Sequence, residues 1–169
     1  MACPNKSASA APIFIALAAV VCSAVYAPAR AQTATTTFQV TATVQATCLI
    51  TANPLAFGTY TGTQTDATTT ISVTCTNTTA YNVALNAGTA PGATVTTRSM
   101  TGPASALLGY SLFSDAARTV VWGTTVGTNT VAGTGTGSAQ ALTVYGRVPA
   151  GQFVAPGAYV DTITATVSF

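Results

Sequence analysis

The stretch FQVTATVQATCLI, from Phe38 to Ile50, carries the first clear structural signal in this chain. Successive side chains of a β-strand point to opposite sides, so Phe38, Val40, Ala42, Val44 and Ala46 share one face and Gln39, Thr41, Thr43, Gln45 and Thr47 the other. The parity continues unbroken through Cys48 to Ile50, although globular strands favour about five or six residues. Two readings stay open. The segment is one long edge strand of the chain's own sheet, or Cys48 anchors the first intrinsic strand while Phe38–Ala46 is an arm that pairs with another molecule.

Towards the C-terminus the same period of two recurs in short runs bounded by Gly, Pro, Asn and Asp, which is the pattern of an all-β chain. Ile71, Val73 and Cys75 alternate with Ser72 and Thr74; Tyr81, Val83 and Leu85 share a face against Asn82 and Asn86. Further strands are expected near Thr94–Met100 and over Ala106–Phe113. The second of these is apolar on both faces and so belongs in the interior of a sheet. A weaker run covers Thr119–Trp122, Gly127–Ser138 reads as a Thr- and Gly-rich loop, and Ala141–Val148 resumes the alternation. Pro156-Gly157 suits the central positions of a type II turn, since proline fixes the first φ and glycine tolerates a positive second one. In the last run Tyr159, Ile163, Ala165, Val167 and Phe169 face one way. Seven or eight such strands point to an immunoglobulin-like β-sandwich.

Towards the N-terminus Lys6 precedes an apolar run from Ile13 to Tyr26, and Ala29-Arg30-Ala31 supplies the small-x-small pattern that signal peptidase accepts. Residues 1–31 are therefore expected to be a secretory signal, with Gln32 as the first mature residue and no membrane anchor after cleavage. Beyond the signal the charges balance: Asp66, Asp115 and Asp161 against Arg98, Arg118 and Arg147. Such a chain offers no cationic footprint for nucleic acid. Cys48 and Cys75 remain after cleavage, and an even pair in an oxidising compartment reads as a disulfide.

Chemistry is scarce. The whole sequence has no histidine and no glutamate, and its single lysine lies in the signal, so a nucleophilic serine or threonine would lack the usual bases. Each of the three aspartates stands beside a turn or at a strand start, where aspartate makes local backbone bonds. Gly133-x-Gly135-x-Gly137 lacks the lysine and helix of a phosphate loop. Tyr60, Tyr110, Trp122 and Tyr145 are expected to pack rather than to stack on sugars. No catalytic residue, cofactor or metal is expected.

Several motifs in order carry a family resemblance: Phe38-x-Val40 to Cys48, Leu55-x-Phe57-Gly58, Ile71-Ser72-Val73-Thr74-Cys75, and Tyr110 followed by Asp115-Ala116-Ala117-Arg118. Val144-Tyr145-Gly146-Arg147-Val148-Pro149 and Pro156-Gly157-x-Tyr159-x-Asp161-Thr162 to Phe169 complete the set. Together they resemble the spore coat protein U domain family, which is similar to subunits of archaic chaperone–usher (Csu-type) pili. The resemblance implies an incomplete immunoglobulin-like sandwich, residues 47–169, completed by a donor strand. The arm, residues 32–46, would supply Phe38, Val40, Ala42 and Val44 to a neighbouring subunit. Ile163, Ala165, Val167 and Phe169 would border the groove and pair first with a periplasmic chaperone, before exchange at an outer-membrane usher. The implied function is a pilus subunit displayed on the cell surface, supporting adhesion and biofilm formation. A spore-coat or surface-layer protein and a pilus tip adhesin are the alternatives.

Overall fold

The computed structural model describes residues 30–169, so the expected signal lies outside the described residues except for Arg30 and Ala31. The chain divides at Thr41 into two units. Residues 30–41 carry no helix or strand and are exposed. The second unit, Ala42–Phe169, holds every strand found among the described residues.

Eight strands follow in order: β1 Cys48–Ala52, β2 Thr65–Cys75, β3 Ala80–Leu85, β4 Arg98–Thr101, β5 Leu107–Phe113, β6 Val131–Thr134, β7 Gln140–Val148 and β8 Ala165–Ser168. They form two sheets, one in the order β1-β2-β7-β5-β4 and one in the order β6-β3-β8. All their pairings are antiparallel. Both sheets bury the residues that alternation assigns inward: Ile71, Val73 and Cys75 from β2, Tyr81, Val83 and Leu85 from β3, and Val144 and Val148 from β7. β5 lies between β7 and β4, inside its sheet as expected, but it buries only one face, Leu108, Tyr110 and Leu112, while Leu107 on the other is exposed. Cys48 stands directly opposite Cys75 and the two form a disulfide. Its sequence separation of 27 contributes about 3–4 kcal/mol by restricting the unfolded chain.

Four expectations need correction. The loop expected over Gly127–Ser138 contains β6, whose Val131–Thr134 pairs with β3. Its glycines serve close packing there: a Cβ on Gly133 would strike the Tyr81 ring, and one on Gly135 would meet Cys75 and Thr76. The strand expected from Thr94 begins only at Arg98, because Thr94 closes a local turn through its hydroxyl, which accepts from the Thr96 and Thr97 N–H groups. The Thr119–Trp122 run makes a single bridge, Phe113 to Val121. Pro156-Gly157 is an open bend rather than a type II turn, since Gly157 has φ 153° and its Cα packs against Pro103.

Tyr159–Phe169 is likewise less regular than its alternation suggests. Only Ala165–Ser168 is strand, with one isolated bridge from Val160 to Thr101. The segment therefore touches β4 of the five-stranded sheet first and then joins β3 in the other sheet.

Candidate functional site

Two edges of the sandwich face a common trench. The first edge is β1 and its continuation. Asn53 donates its N–H to the Thr70 carbonyl at 3.0 Å, and Pro54, having no N–H, ends the ladder there. Leu55 and Phe57 then turn inward over Gly146, where a Cβ would come within 2.7 Å of Leu55 and 2.8 Å of Phe57. The Phe57 ring meets Tyr110 edge to face, with centroids 6.1 Å apart.

The second edge is the approach to β8. Side chains from the β3–β4 connection stitch it in place. Asn86 Oδ1 accepts from the Thr164 N–H at 2.9 Å and the Gly88 N–H at 3.2 Å. The Asp161 carboxylate accepts from the Thr89 N–H at 2.7 Å, the Thr89 hydroxyl at 2.8 Å, its neighbour Thr162 N–H at 2.7 Å and the Tyr110 hydroxyl at 2.7 Å. Gln152 acts as an extra peptide unit for β5: its side chain accepts from the Gly109 N–H at 2.7 Å and donates to the Gly109 carbonyl at 2.9 Å.

Between these edges lie two joined hollows. The narrower, about 170 Å³, has Ile71, Leu85, Leu112 and Val144 in its lining, with Ala52 on one rim and Ile163 and Ala165 on the other. The wider, about 830 Å³, shares Leu55 and continues past Phe57, Tyr60, Met100 and Leu108 to Tyr159. No charged side chain lines either hollow. Among the described residues no backbone hydrogen bond crosses from residues 54–61 to residues 152–164, nor from β1 to β8. β1 and β8 are each the outermost strand of their sheet and thus leave one edge without a strand partner beside an apolar floor, the geometry that an added strand satisfies.

The family resemblance assigns four residues to a groove edge, and their surroundings differ. Ile163, Ala165 and Val167 pack against the core from the rim, whereas Phe169, just beyond the end of β8, is 60% exposed. The four arm residues lie outside every strand: Phe38, Val40 and Val44 are each more than 80% exposed, and Ala42 is exposed too. Residues 32–47 contain no charged side chain, no glycine and no proline. Asn86 and Gln152, which help to hold the second edge, escaped the sequence reading in that role, and Asp161 reads there only as a local turn residue and a member of a motif. Only Asp161 gave a signal, because it shares the parity of Tyr159 and Ile163 and so had to point inward.

Burial and then the Asp161 hydrogen bond push the Tyr110 phenol well above its usual range. Burial pulls Asp161 upward, but the Thr89 N–H, the Tyr110 and Thr89 hydroxyls and the Thr162 N–H outweigh it and hold it below the usual value. Asp66 departs from the expectation of local backbone bonding, as does Asp161, whose partners Thr89 and Tyr110 are far away in sequence. Asp66 takes a two-point bond from Arg147 across β2 and β7, at 2.8 and 2.9 Å, with Arg118 at 3.5 Å, and the Arg147 hydrogen bond holds its carboxyl low. Asp115 does bond locally and is held low, first by the Val120 N–H and also by the Thr119 hydroxyl and N–H.

The three aspartates are the only carboxylate side chains, and the sequence has no histidine. All three are depressed in the folded state, so their contribution to stability is complete above the unfolded aspartate pKa of about 3.9 and is lost as pH falls through the lower folded values. Thermal unfolding followed by circular dichroism is expected to show a flat midpoint from about pH 8 to pH 5 and a decline only below about pH 4. A decline between pH 8 and 6 would contradict this assignment of the charges.

Against this geometry stand the comparisons with known proteins. Residues 34–166 match the Spore Coat Protein U domain. The chain belongs to the spore coat protein U domain family. Within reach of that family lies Protein U of Myxococcus xanthus, 37% identical, with the match covering 85% of this chain and 89% of that protein. Among solved structures, one chain of the chaperone–tip adhesion subunit pre-assembly complex CsuC–CsuE, from archaic chaperone–usher Csu pili of Acinetobacter baumannii, superposes with a TM-score of 0.57 at 23% identity. That match covers 75% of this chain, which spans 41% of the solved one. At that identity the likeness is one of fold, an all-β immunoglobulin-like sandwich of two sheets. The spore coat protein U assignment and the disulfide-bonded sandwich thus agree with what the ordered motifs implied.

Proposed function

We propose that this spore coat protein U domain is a structural subunit of an archaic chaperone–usher pilus, polymerising by donor-strand exchange. The observation that carries the reading is the uncharged trench beside which β1 and β8 each leave one edge without a strand partner, in a chain that also has an exposed, uncharged, alternating arm. In this scheme residues 32–46 of one copy enter the trench of the next, with Phe38, Val40, Ala42 and Val44 facing the floor and the polar alternates facing out. A periplasmic chaperone occupies the trench first, pairing with the β8 edge at Ile163, Ala165, Val167 and Phe169, and an outer-membrane usher is the place of exchange. Export would follow from cleavage after Ala31, and the fibre would support adhesion and biofilm formation at the cell surface.

The similarity to Protein U favours a second reading, a coat or surface-layer protein built on the same domain. Co-expression with a chaperone and usher of the archaic type, followed by electron microscopy, separates the two. The pilus reading expects thin fibres that require both helpers, and amorphous or helper-independent assembly supports the coat.

Deleting Val167–Phe169 is expected to remove the chaperone complex in a pull-down, because β8 loses the free edge that the chaperone pairs with. Recovery of the complex at the full-length level would exclude β8 as the chaperone's strand.

A further inference from the structure

We propose that Gln32 is a modification site, and that the mature arm begins with a pyroglutamate. The inference rests on cleavage after Ala31, which makes Gln32 the N-terminal residue. An N-terminal glutamine carries its own electrophile: the α-amine nitrogen attacks the side-chain Cδ, the new N–Cδ bond closes a five-membered lactam, and the Cδ–Nε2 bond breaks. The amine gives up one proton as Nε2 leaves as ammonia. Neither an oxidant nor a co-reactant is needed.

The surroundings leave the reaction unobstructed. Gln32 is exposed and lies in a stretch without helix or strand, and among the described residues no hydrogen bond ties its side chain or backbone. The consequence bears on the arm itself. Residues 32–47 carry no charged side chain, so the α-ammonium would be the arm's sole charge, and the lactam removes it. An extended terminus is also where proteolysis concentrates. Five residues separate Gln32 from Phe38, so removal of a few residues by an aminopeptidase would reach the apolar positions. A lactam offers such an enzyme no free amine.

The test is intact-mass spectrometry with N-terminal sequencing of full-length precursor expressed, exported and sampled directly after cell fractionation. The expected product starts at Gln32, is lighter than the unmodified chain by one ammonia, is blocked to sequencing, and becomes readable from Thr33 after pyroglutamyl aminopeptidase. A product starting at Gln32 with a free amine overturns the modification and leaves the cleavage reading standing. A product starting elsewhere overturns both. In a second measurement Gln32→Ser, which cannot cyclise, is expected to lose arm residues to a broad-specificity aminopeptidase while the natural protein keeps its mass; equal trimming of both would overturn the protective role.

Discussion

Phe38→Asp is expected to abolish fibre formation while leaving the domain folded and its Cys48–Cys75 bridge formed. In the native chain Phe38 is 85% exposed, so the substitution removes no packing contact within the sandwich. In the proposed donor-strand joint its cost falls on the contact between subunits. Burying a phenylalanine contributes about 1.5–3 kcal/mol, and a carboxylate carried into a trench with no charged side chain adds an unpaired buried charge worth about 3 kcal/mol or more. A combined loss of about 4 kcal/mol or more corresponds to roughly a thousandfold in affinity. Val40→Asp should act in the same way. Gln39→Asp is the informative control, because its side chain has the opposite parity and would stay in water. Electron microscopy of the three variants, with circular dichroism to establish folding, reads the result directly. Fibres from Phe38→Asp at the natural yield would remove the arm from the joint, and equal loss from Gln39→Asp would show that the effect is not specific to one face.

That experiment rests on a feature already legible in the sequence, and the reasons other features were not legible are physical. β2, β3, β5 and β7 bury one face along each strand, so period-two alternation writes them into the residues: Tyr81, Val83 and Leu85 are buried as their spacing demands. β6 is short and borrows its burial from Tyr81, whose ring occupies the space above Gly133, so its own residues Val-Ala-Gly-Thr read as loop. The trench is legible only in part. Its floor comes from strands with clear alternation, but its rims are extended segments held by side chains. Asn86, Asp161 and Gln152 supply bonds that a ladder would otherwise make, and nothing in local spacing marks a glutamine as a partner for Gly109. Charge balance misleads as well. Three arginines against three aspartates suggest three pairs, whereas Arg118 and Arg147 share Asp66, Asp115 closes a turn, and Arg98 has no carboxylate within ion-pair distance among the described residues.

Arg98 is where that imbalance has its largest consequence. Its strand alternates Arg98 and Met100 against Ser99 and Thr101, a parity that sends the guanidinium into the core, where it is 1% exposed. Burial lowers its pKa, yet the group stays within reach of compensation: Nε donates to the Asn86 carbonyl at 2.8 Å, Nη1 to Val95 at 2.8 Å, and Nη2 to Leu85 at 3.0 Å and Trp122 at 2.8 Å. Only a planar fork with five donors can serve four carbonyls that converge from different directions. Arg98→Leu would fill much of the space and leave those carbonyls without this donor, at about 1–3 kcal/mol for each one left unsatisfied. With four carbonyls at stake the expected loss of about 4 kcal/mol or more is a large share of a small domain's stability, so little folded protein should be recovered. Arg98→Lys keeps the charge but offers a single ammonium, and should recover part of the loss. The carbonyls also tie the effect to the trench. Leu85 lines its floor, Asn86 holds the Thr164 N–H of its rim, and Trp122 donates its indole N–H to the Val83 carbonyl at 2.8 Å. Chemical denaturation of the lysine variant, paired with binding of a synthetic peptide of residues 32–46, therefore tests two things. A shifted midpoint with weakened peptide binding places Arg98 behind both the core and the groove. A shifted midpoint with unchanged binding confines it to the core, and an unchanged midpoint in the leucine variant would mean that the four carbonyls find other donors.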